Sequence, residues 1–388
     1  MTSKEVPRSP SISKMKVAMI ANTDIGVEEQ GGIETWVREL SSSLRKMGVD
    51  LLSFDINESG RRAEENEVFI SNRYVSNFLF LPLLLRIAFQ QRNARNLLIH
   101  VHRPDQLVPF LIPIGRRHLL VCSLHGEVRK DVNFFKGRLI GTIYLILEAL
   151  GLRFADVVLF VDKRTKEGYV EEYPWLGPKA EVVPSGVSSS FFEERPERGA
   201  ALRRLGLDGK GPIVSYIGRL DPFKNVDIIL RSIPAILVKH PNLVLAIGGD
   251  GPHREELERI ARELEISERA VFLGALNRQG VRDLLSVSEA LVLASKKEGS
   301  PVVIKEALAS GVRIVSTRVG DVPDILNDQT FGVLIEEASE RAIAEGIEKI
   351  LGDPGGRVDP SNFLDYRWER IAERVATIYQ AAYMRRWG

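Results

Sequence analysis

The 388-residue chain holds a single cysteine, Cys122, which excludes an internal disulfide and a cysteine-rich metal site and fits a reducing compartment. It has no surplus of charge either. Its 53 Lys and Arg stand against 52 Asp and Glu, a net +1, so no global field selects nucleic acid as a partner and any anion site must be local. A run able to cross a bilayer is missing too, since a spanning helix needs about 20 largely uncharged apolar residues. The two best stretches fail: 78–89 (FLFLPLLLRIAF) is short and carries Pro82 and Arg86, and 139–161 is interrupted by Glu148, Arg153 and Asp156. Either can still lie on a membrane surface. The opening MTSKEVPRSPSISK lacks the apolar stretch of a cleaved signal peptide and reads as a disordered tail over 1–14.

What is present is the composition of a folded protein, 44% hydrophobic and 27% charged, at a length too great for one core. Short β-like runs alternate with amphipathic stretches, which predicts βα units around parallel sheets. In the first half the strands fall at 17–22, 49–55, 97–102, 119–126 and 156–162. A helix after the first has Ile33, Trp36, Val37, Leu40, Leu44 and Met47 on one face, and the pattern from 60 to 95 is weak. Residues 187–211 read as a connecting segment. Strands then follow at 212–218, 243–249, 270–275, 290–295, 313–317 and 332–336, with a last helix from about 367 to 383. The expected fold is α/β: two doubly wound, Rossmann-like domains, 15–186 and 187–366, facing a central cleft, with 367–388 packing back on the first. Ligands bind such folds at the carboxyl ends of the strands.

Three groups of residues sit at those ends. In EGSPVVIKEALASG (298–311), Pro301 suits the first helical turn, so Glu298, Gly299 and Ser300, expected donor contacts, lead into a helix whose free amides at Val302 and Val303 form an anion seat. Glu306 lies about 7–8 Å further along at the rise of an α-helix, within reach of hydroxyls of a group whose phosphates sit at the helix start. In YIGRLDPFKN (216–225), Gly218 permits close backbone approach, while Arg219 and Lys224 can hold a diphosphate without metal. Gly31 and Gly32 repeat the helix-start logic in the first half. Each has a plain alternative: a solvated glutamate, a basic loop paired with Asp221, a common glycine pair. GGDGP (248–252) lacks dinucleotide-fingerprint spacing and reads as a strand-to-helix turn. His125, just past a strand, suits a substrate contact, although a lone histidine is more often structural. His100 and His102 share a strand face with no third ligand placed, so they read as strand-end polarity and no metal site is expected.

Taken in order, GGIE (31–34), HG (125–126), VVPSGVSSSFF (182–192), YIGRLDPFKN, GGDGP, FLGAL (272–276), the Glu298 and Glu306 pair and VGDVPDIL (319–326) resemble the retaining nucleotide-sugar glycosyltransferases of family 4, which have the GT-B fold. The resemblance runs from about 16 to 383. It implies an acceptor domain followed by a nucleotide-sugar donor domain, with a nucleoside-diphosphate sugar as donor, no cofactor besides it, and a glycan or lipid-linked acceptor. Arg219 and Lys224 then hold the diphosphate with the amides of Gly31 and Gly32, Glu306 the ribose, Glu298 the transferred sugar, and His125 lies near the reacting centre. The sequence departs from the family pattern at Ser300-Pro301, Lys305 and Ser185. No Asp-x-Asp occurs, so side-chain cations stand in for a clamped metal. The expected location is cytoplasmic, with peripheral contact to the inner face of a membrane through 78–89. Other readings are a nucleotide-sugar epimerase or hydrolase on the same fold, or a non-catalytic binding module.

Overall fold

Two all-parallel sheets organise the structure, a computed structural model that describes residues 15–24, 32–60, 62–63, 66–73, 77–94, 96–111, 118–126, 138–353 and 356–387. The tail 1–14 and Gly31 lie outside the described residues. The first sheet contains β1 (Lys16–Ile20), β2 (Asp50–Ile56), β3 (Glu67–Ser71), β4 (Leu97–Val101), β5 (Leu119–Leu124), β6 (Val157–Phe160) and β7 (Ala180–Val182), in the order 3-2-1-4-5-6-7. Every residue of β4, β5 and β6 is buried, because crossover segments cover both faces of a parallel sheet. That is why these strands read as unbroken apolar runs.

The weak region from 60 to 95 holds β3 and a helix, Asn77–Gln90. β3 is an edge strand with no fully buried residue, so it carries little hydrophobic signal. The helix is apolar nearly all round, which blurs its period. Its inner side, Phe80, Leu84, Ile87 and Ala88, belongs to the core, so 78–89 is chiefly a core helix, with Phe89 left exposed.

The second sheet contains β8 (Ile213–Ile217), β9 (Val244–Gly248), β10 (Ala270–Gly274), β11 (Ser288–Leu293), β12 (Arg313–Thr317) and β13 (Gly332–Ile335), in the order 10-9-8-11-12-13. In both sheets the order reverses beside the first strand, between β1 and β4 and between β8 and β11. Such switch points open a crevice at the carboxyl ends of the strands.

The chain divides into two units, one running to Pro184 and resumed by the last helix, the other Ser185–Arg367. Residues 187–211 are no linker: Phe191, Ala201 and Leu207 are buried in the core of the second unit, and Arg198–Leu205 is a helix. The last helix, Trp368–Trp387, ends a turn later than its sequence pattern predicts. It lays Trp368, Ile371, Val375 and Tyr379 into the same core as Trp36, Val37, Leu40 and Leu44 of the helix Gly32–Lys46.

Candidate functional site

At the switch point of the second sheet, two loops are stitched together by main-chain bonds. The Gly218 amide donates to Gly248 O at 2.9 Å, and a Cβ on Gly249 would fall 1.9 Å from Gly218 O, so the glycines of GGDGP let two turns touch. Past Gly218, Tyr216 donates its hydroxyl to Arg219 O at 2.9 Å, and Asp221 Oδ1 accepts from the Phe223 amide at 3.1 Å, capping a short turn at Pro222–Lys224. Asn225 then takes a left-handed conformation, which asparagine tolerates, and donates Nδ2 to Ala294 O at 2.8 Å. The Lys296 amide closes the seam on Phe223 O at 2.9 Å.

This seam brings Lys224 to Glu298. Lys224 Nζ donates to Glu298 Oε1 at 2.6 Å, and Ser295 donates its hydroxyl to the same oxygen at 2.7 Å. Both members of the pair are largely buried. Arg219 is mostly exposed, and its nearest acid, Asp221, is 3.9 Å away. A partly buried cation fixed by a carboxylate thus has a second, loosely held cation five positions before it.

The helix Val302–Ala309 follows, with Pro301 in extended conformation at its amino end and no side chain capping it. The amides of Val302 and Val303 are among those that a helix start leaves without intrahelical partners. Gly299 packs against Gly320, where a Cβ would fall 1.8 Å from Gly299 O, and the Asp321 amide donates to that oxygen at 3.0 Å.

Ser300 points the other way from the expected donor contact. Its hydroxyl accepts from Lys305 Nζ at 2.6 Å and from the Ser185 amide at 3.1 Å, and donates to Asp321 Oδ2 at 2.7 Å. One proton and two lone pairs are all a hydroxyl has, so none is left for a ligand. The cause is Lys305, fully buried and 2.7 Å from Asp321 Oδ2. Ser300, Lys305 and Ser185, three separate departures from the family pattern, form one cluster behind the loop.

Glu306 stands on the second turn of that helix and has no hydrogen-bond or ion-pair partner among the described residues. Burial pushes its carboxyl up to about 7, against the opposing pull of Arg278 and Lys305. It is therefore held close to balance between neutral and ionised forms near neutral pH.

In the first unit, Gly32 opens its helix with open space where a Cβ would stand. His125, at the end of β5, is not alone. His102 Nδ1 lies 3.1 Å from His125 Nε2, and His102 Nε2 lies 3.3 Å from Met19 Sδ. His100 bridges Tyr379 Oη at 2.5 Å and Ser123 Oγ at 2.8 Å. Trp36 meets all three imidazoles edge-on, at centroid distances of 5.1–5.8 Å. Burial lowers His100 to about 3, His125 to about 4, and His102 well below its ordinary value, so all three are neutral at physiological pH.

The neutral rings of His102 and His125 then have assigned tautomers. A thioether can only accept, so His102 carries its proton on Nε2 toward Met19 and leaves Nδ1 bare. His125 must donate Nε2–H to that nitrogen, and its own Nδ1 keeps a lone pair. Strand-end polarity was thus the wrong expectation for His100 and His102, which are packed and hydrogen-bonded. The two-residue spacing showed that they share a face, but their link to His125 depends on the pairing of β4 with β5. Among the described residues no group of three His, Cys, Asp or Glu is arranged to hold a metal ion.

Known proteins match along most of the chain. The glycosyl transferases group 1 family matches residues 198–363, and Glycosyltransferase Family 4 matches residues 30–191. The chain is similar to the GDP-mannose-dependent alpha-(1-6)-phosphatidylinositol monomannoside mannosyltransferase of Mycolicibacterium smegmatis, 31% identical over 62% of this chain and 64% of that one. It spans less than two thirds of the length of several curated relatives, that one among them. It is also similar to the N-acetyl-alpha-D-glucosaminyl L-malate synthase of Bacillus anthracis, 26% identical over 94% of this chain and 97% of the relative. In fold it resembles the sucrose-phosphate synthase of Thermosynechococcus elongatus, with a TM-score of 0.77, 21% identity, and coverage of 96% of this chain and 100% of the other. Two family matches, one to each half, on two parallel sheets wound in the same order assign the chain to the group 1, family 4 glycosyltransferases of GT-B fold.

Proposed function

We propose that the chain is a retaining glycosyltransferase that moves a hexosyl group from a nucleoside-diphosphate sugar to a hydroxyl of a glycan, glycolipid or related acceptor, in the cytoplasm and without a protein-bound metal. The observation that carries this reading is the Lys224–Glu298 pair at the switch point of the second sheet, beside an uncapped helix start and the unpartnered Glu306. Departure of a nucleoside diphosphate gathers negative charge on its β-phosphate. Lys224, Arg219 and the amides at Val302 and Val303 are groups of the right sign, and charge-assisted bonds in a fixed array are the strongest electrostatic help a site gives. Glu306 is free to accept from ribose hydroxyls, and Glu298 from hydroxyls of the sugar.

In the proposed step the bond from the anomeric carbon to the diphosphate oxygen breaks, and the acceptor oxygen bonds to that carbon on the same face. The acceptor proton passes to the departing phosphate oxygen, so no enzymic nucleophile is needed. His125, taken by itself, offers the lone pair of Nδ1 to a hydroxyl. The names of relatives support a nucleotide-sugar donor and a lipid-borne acceptor, since one uses GDP-mannose and a phosphatidylinositol mannoside.

The test is thermal shift with a panel of UDP- and GDP-sugars, because a ligand that binds only the native state raises the melting temperature. The stabilising donor is then incubated with and without acceptors, and the product's anomeric configuration is read by NMR. Consumption of donor alone would indicate an epimerase or hydrolase, and an inverted product would overturn retention. Activity should survive excess chelator.

A further inference from the structure

The chain passes between its two units twice, after Pro184 and after Arg367, so Ser185 and Arg367 are the first and last residues of the second unit. These two ends are paired with each other. The Val187 amide donates to Tyr366 O at 2.7 Å, and Val187 and Arg367 form an isolated parallel bridge. Each end also touches the cluster behind the loop 298–301. The Ser185 amide donates to Ser300 Oγ at 3.1 Å, and the ammonium group of Lys305 lies 5.6 Å from the centre of the Tyr366 ring.

One ammonium group therefore meets both the loop and a connection. Lys305 is fully buried, and it has three donors and no acceptor. It donates to Ser300 Oγ at 2.6 Å and stands 2.7 Å from Asp321 Oδ2, while its charge is within cation–π range of Tyr366. Asp321 in turn donates its amide to Gly299 O at 3.0 Å. Apolar side chains of the same volume often stabilise a buried spot as well as an ion pair or better, because desolvating two charges offsets their attraction. What the pair adds here is direction, since it is satisfied only when Ser300, Asp321 and Tyr366 surround Lys305.

We infer that the loop 298–301 and the two connections are energetically coupled through Lys305, with Tyr366 and the Ser185 amide as positioning groups, so that a ligand ordering the loop also tightens the connections. The contacts form an unbroken series inside the second unit. Gly299 O holds the Asp321 amide, Asp321 holds Lys305, Lys305 meets the Tyr366 ring, and Tyr366 O holds Val187; a second arm runs from Ser300 to Ser185. Coupling is reciprocal, so a change made at either end must be felt at the other. The coupling concerns control of the site proposed above and rests on that reading only where a nucleotide is added.

The experiment is amide hydrogen exchange of the full chain, read by NMR at Val187, whose bond joins the connections, and at Asp321, whose bond holds the loop. Leu245 in β9, bonded to Arg269 O at 2.7 Å, is the remote control and should not change in any variant. Ser300→Ala removes the acceptor of the Ser185 amide and leaves the acceptor of Val187 in place, yet exchange at Val187 should rise about 10-fold. Tyr366→Leu keeps the carbonyl that holds Val187 and removes the ring, yet exchange at Asp321 should rise by about the same factor. Tyr366→Phe keeps the ring and loses a hydroxyl that makes no hydrogen bond among the described residues, so it should match the wild type. These comparisons use no nucleotide and decide the coupling whatever the chain transfers. UDP or GDP, whichever raises the melting temperature, should then slow exchange at Asp321 and Val187 together in the wild type. The inference is overturned if Val187 keeps its wild-type rate in Ser300→Ala, or if Asp321 keeps its own in Tyr366→Leu. It is equally overturned if Tyr366→Phe exchanges at Asp321 as fast as Tyr366→Leu, or if the nucleotide slows Asp321 and leaves Val187 unchanged.

Discussion

Lys224 and Glu298 hold each other at 2.6 Å from loops that leave the two strands flanking the switch point of the second sheet. A diphosphate arriving there competes with Glu298 for the ammonium group, so the two residues should respond oppositely to substitution. Lys224→Ala should lower kcat/KM by roughly 100-fold or more, the order found when one preorganised electrostatic partner is removed. Glu298→Gln should lower turnover yet bind a nucleoside diphosphate without sugar as tightly as the wild type or more so, because Lys224 is released from its counter-charge. Calorimetry with UDP and GDP reads this directly, and a weaker diphosphate complex for Glu298→Gln would refute the competition.

The Glu306 carboxyl is pushed up to about 7, above the ordinary carboxylate range, because its half-buried place on the helix strips it of water. Between about pH 4.5 and 7 the unfolded chain has lost this proton and the native one keeps it, so the group costs stability as pH rises through that window. Glu306→Gln should therefore melt at the wild-type temperature near pH 4.5 and higher than wild type at pH 8, by a few degrees. Binding of ribose hydroxyls favours the ionised form, so nucleotide binding near pH 6 should release a proton. Calorimetry in buffers of different ionisation enthalpy measures it, and no proton release would remove Glu306 from the ribose.

The histidine stack has the opposite sign. Buried His100 and His102 and half-buried His125 have pKa values lowered from 6.5 by desolvation, to about 3 and about 4 for the first and last. Below pH 6.5 the unfolded chain takes up protons that the native stack refuses, so stability contributed by this unit is present above 6.5 and falls as pH drops toward 4. Between pH 7 and 8 none of the three changes charge, and the rate profile there should carry no histidine step. Met19→Leu removes the acceptor that fixes His102, and kcat should fall with KM little changed. His102→Asn keeps an acceptor near the Nδ1 position and should restore what His102→Leu loses. Nitrogen NMR of wild-type His125 should show an unprotonated Nδ1, and a protonated one would break the chain of donors from His125 to Met19.

How legible this was follows from where each signal lives. β4, β5, β6, β8 and β9 are buried along their whole length, so a local run of apolar residues marked them. β3 and β7 are edge strands with little buried surface and left no such mark. Lys224 and Glu298 could be named from loop chemistry, but that they pair depends on Asn225 and Lys296 bonding across the seam. Ser300 was expected to contact the donor because it stands in the loop that leads into the helix start at Val302. Its direction is set by Lys305, an amphipathic side chain on the same helix that sequence alone does not place inside, and by Asp321, 21 positions away.

Lys305 and Asp321 are both buried, and Asp321 Oδ1 makes no hydrogen bond, so the carboxylate depends on Lys305 and Ser300 through its other oxygen alone. Removing one partner of a buried pair leaves an uncompensated charge, whereas removing both is often close to neutral. Lys305→Met should therefore destabilise the second unit by about 3–5 kcal/mol, and Lys305→Met/Asp321→Asn should recover most of the loss. Stability and function then separate. The double variant still lacks the two groups that turn Ser300 inward and fasten Gly299–Pro301 against the Gly320 turn, so its donor affinity should stay reduced while its melting temperature returns. Paired thermal melts and nucleotide-sugar titrations of the four proteins in the cycle decide it. Additive losses in stability would show that the ion pair is not coupled, and a double variant with full donor affinity would show that the pair does not hold the loop.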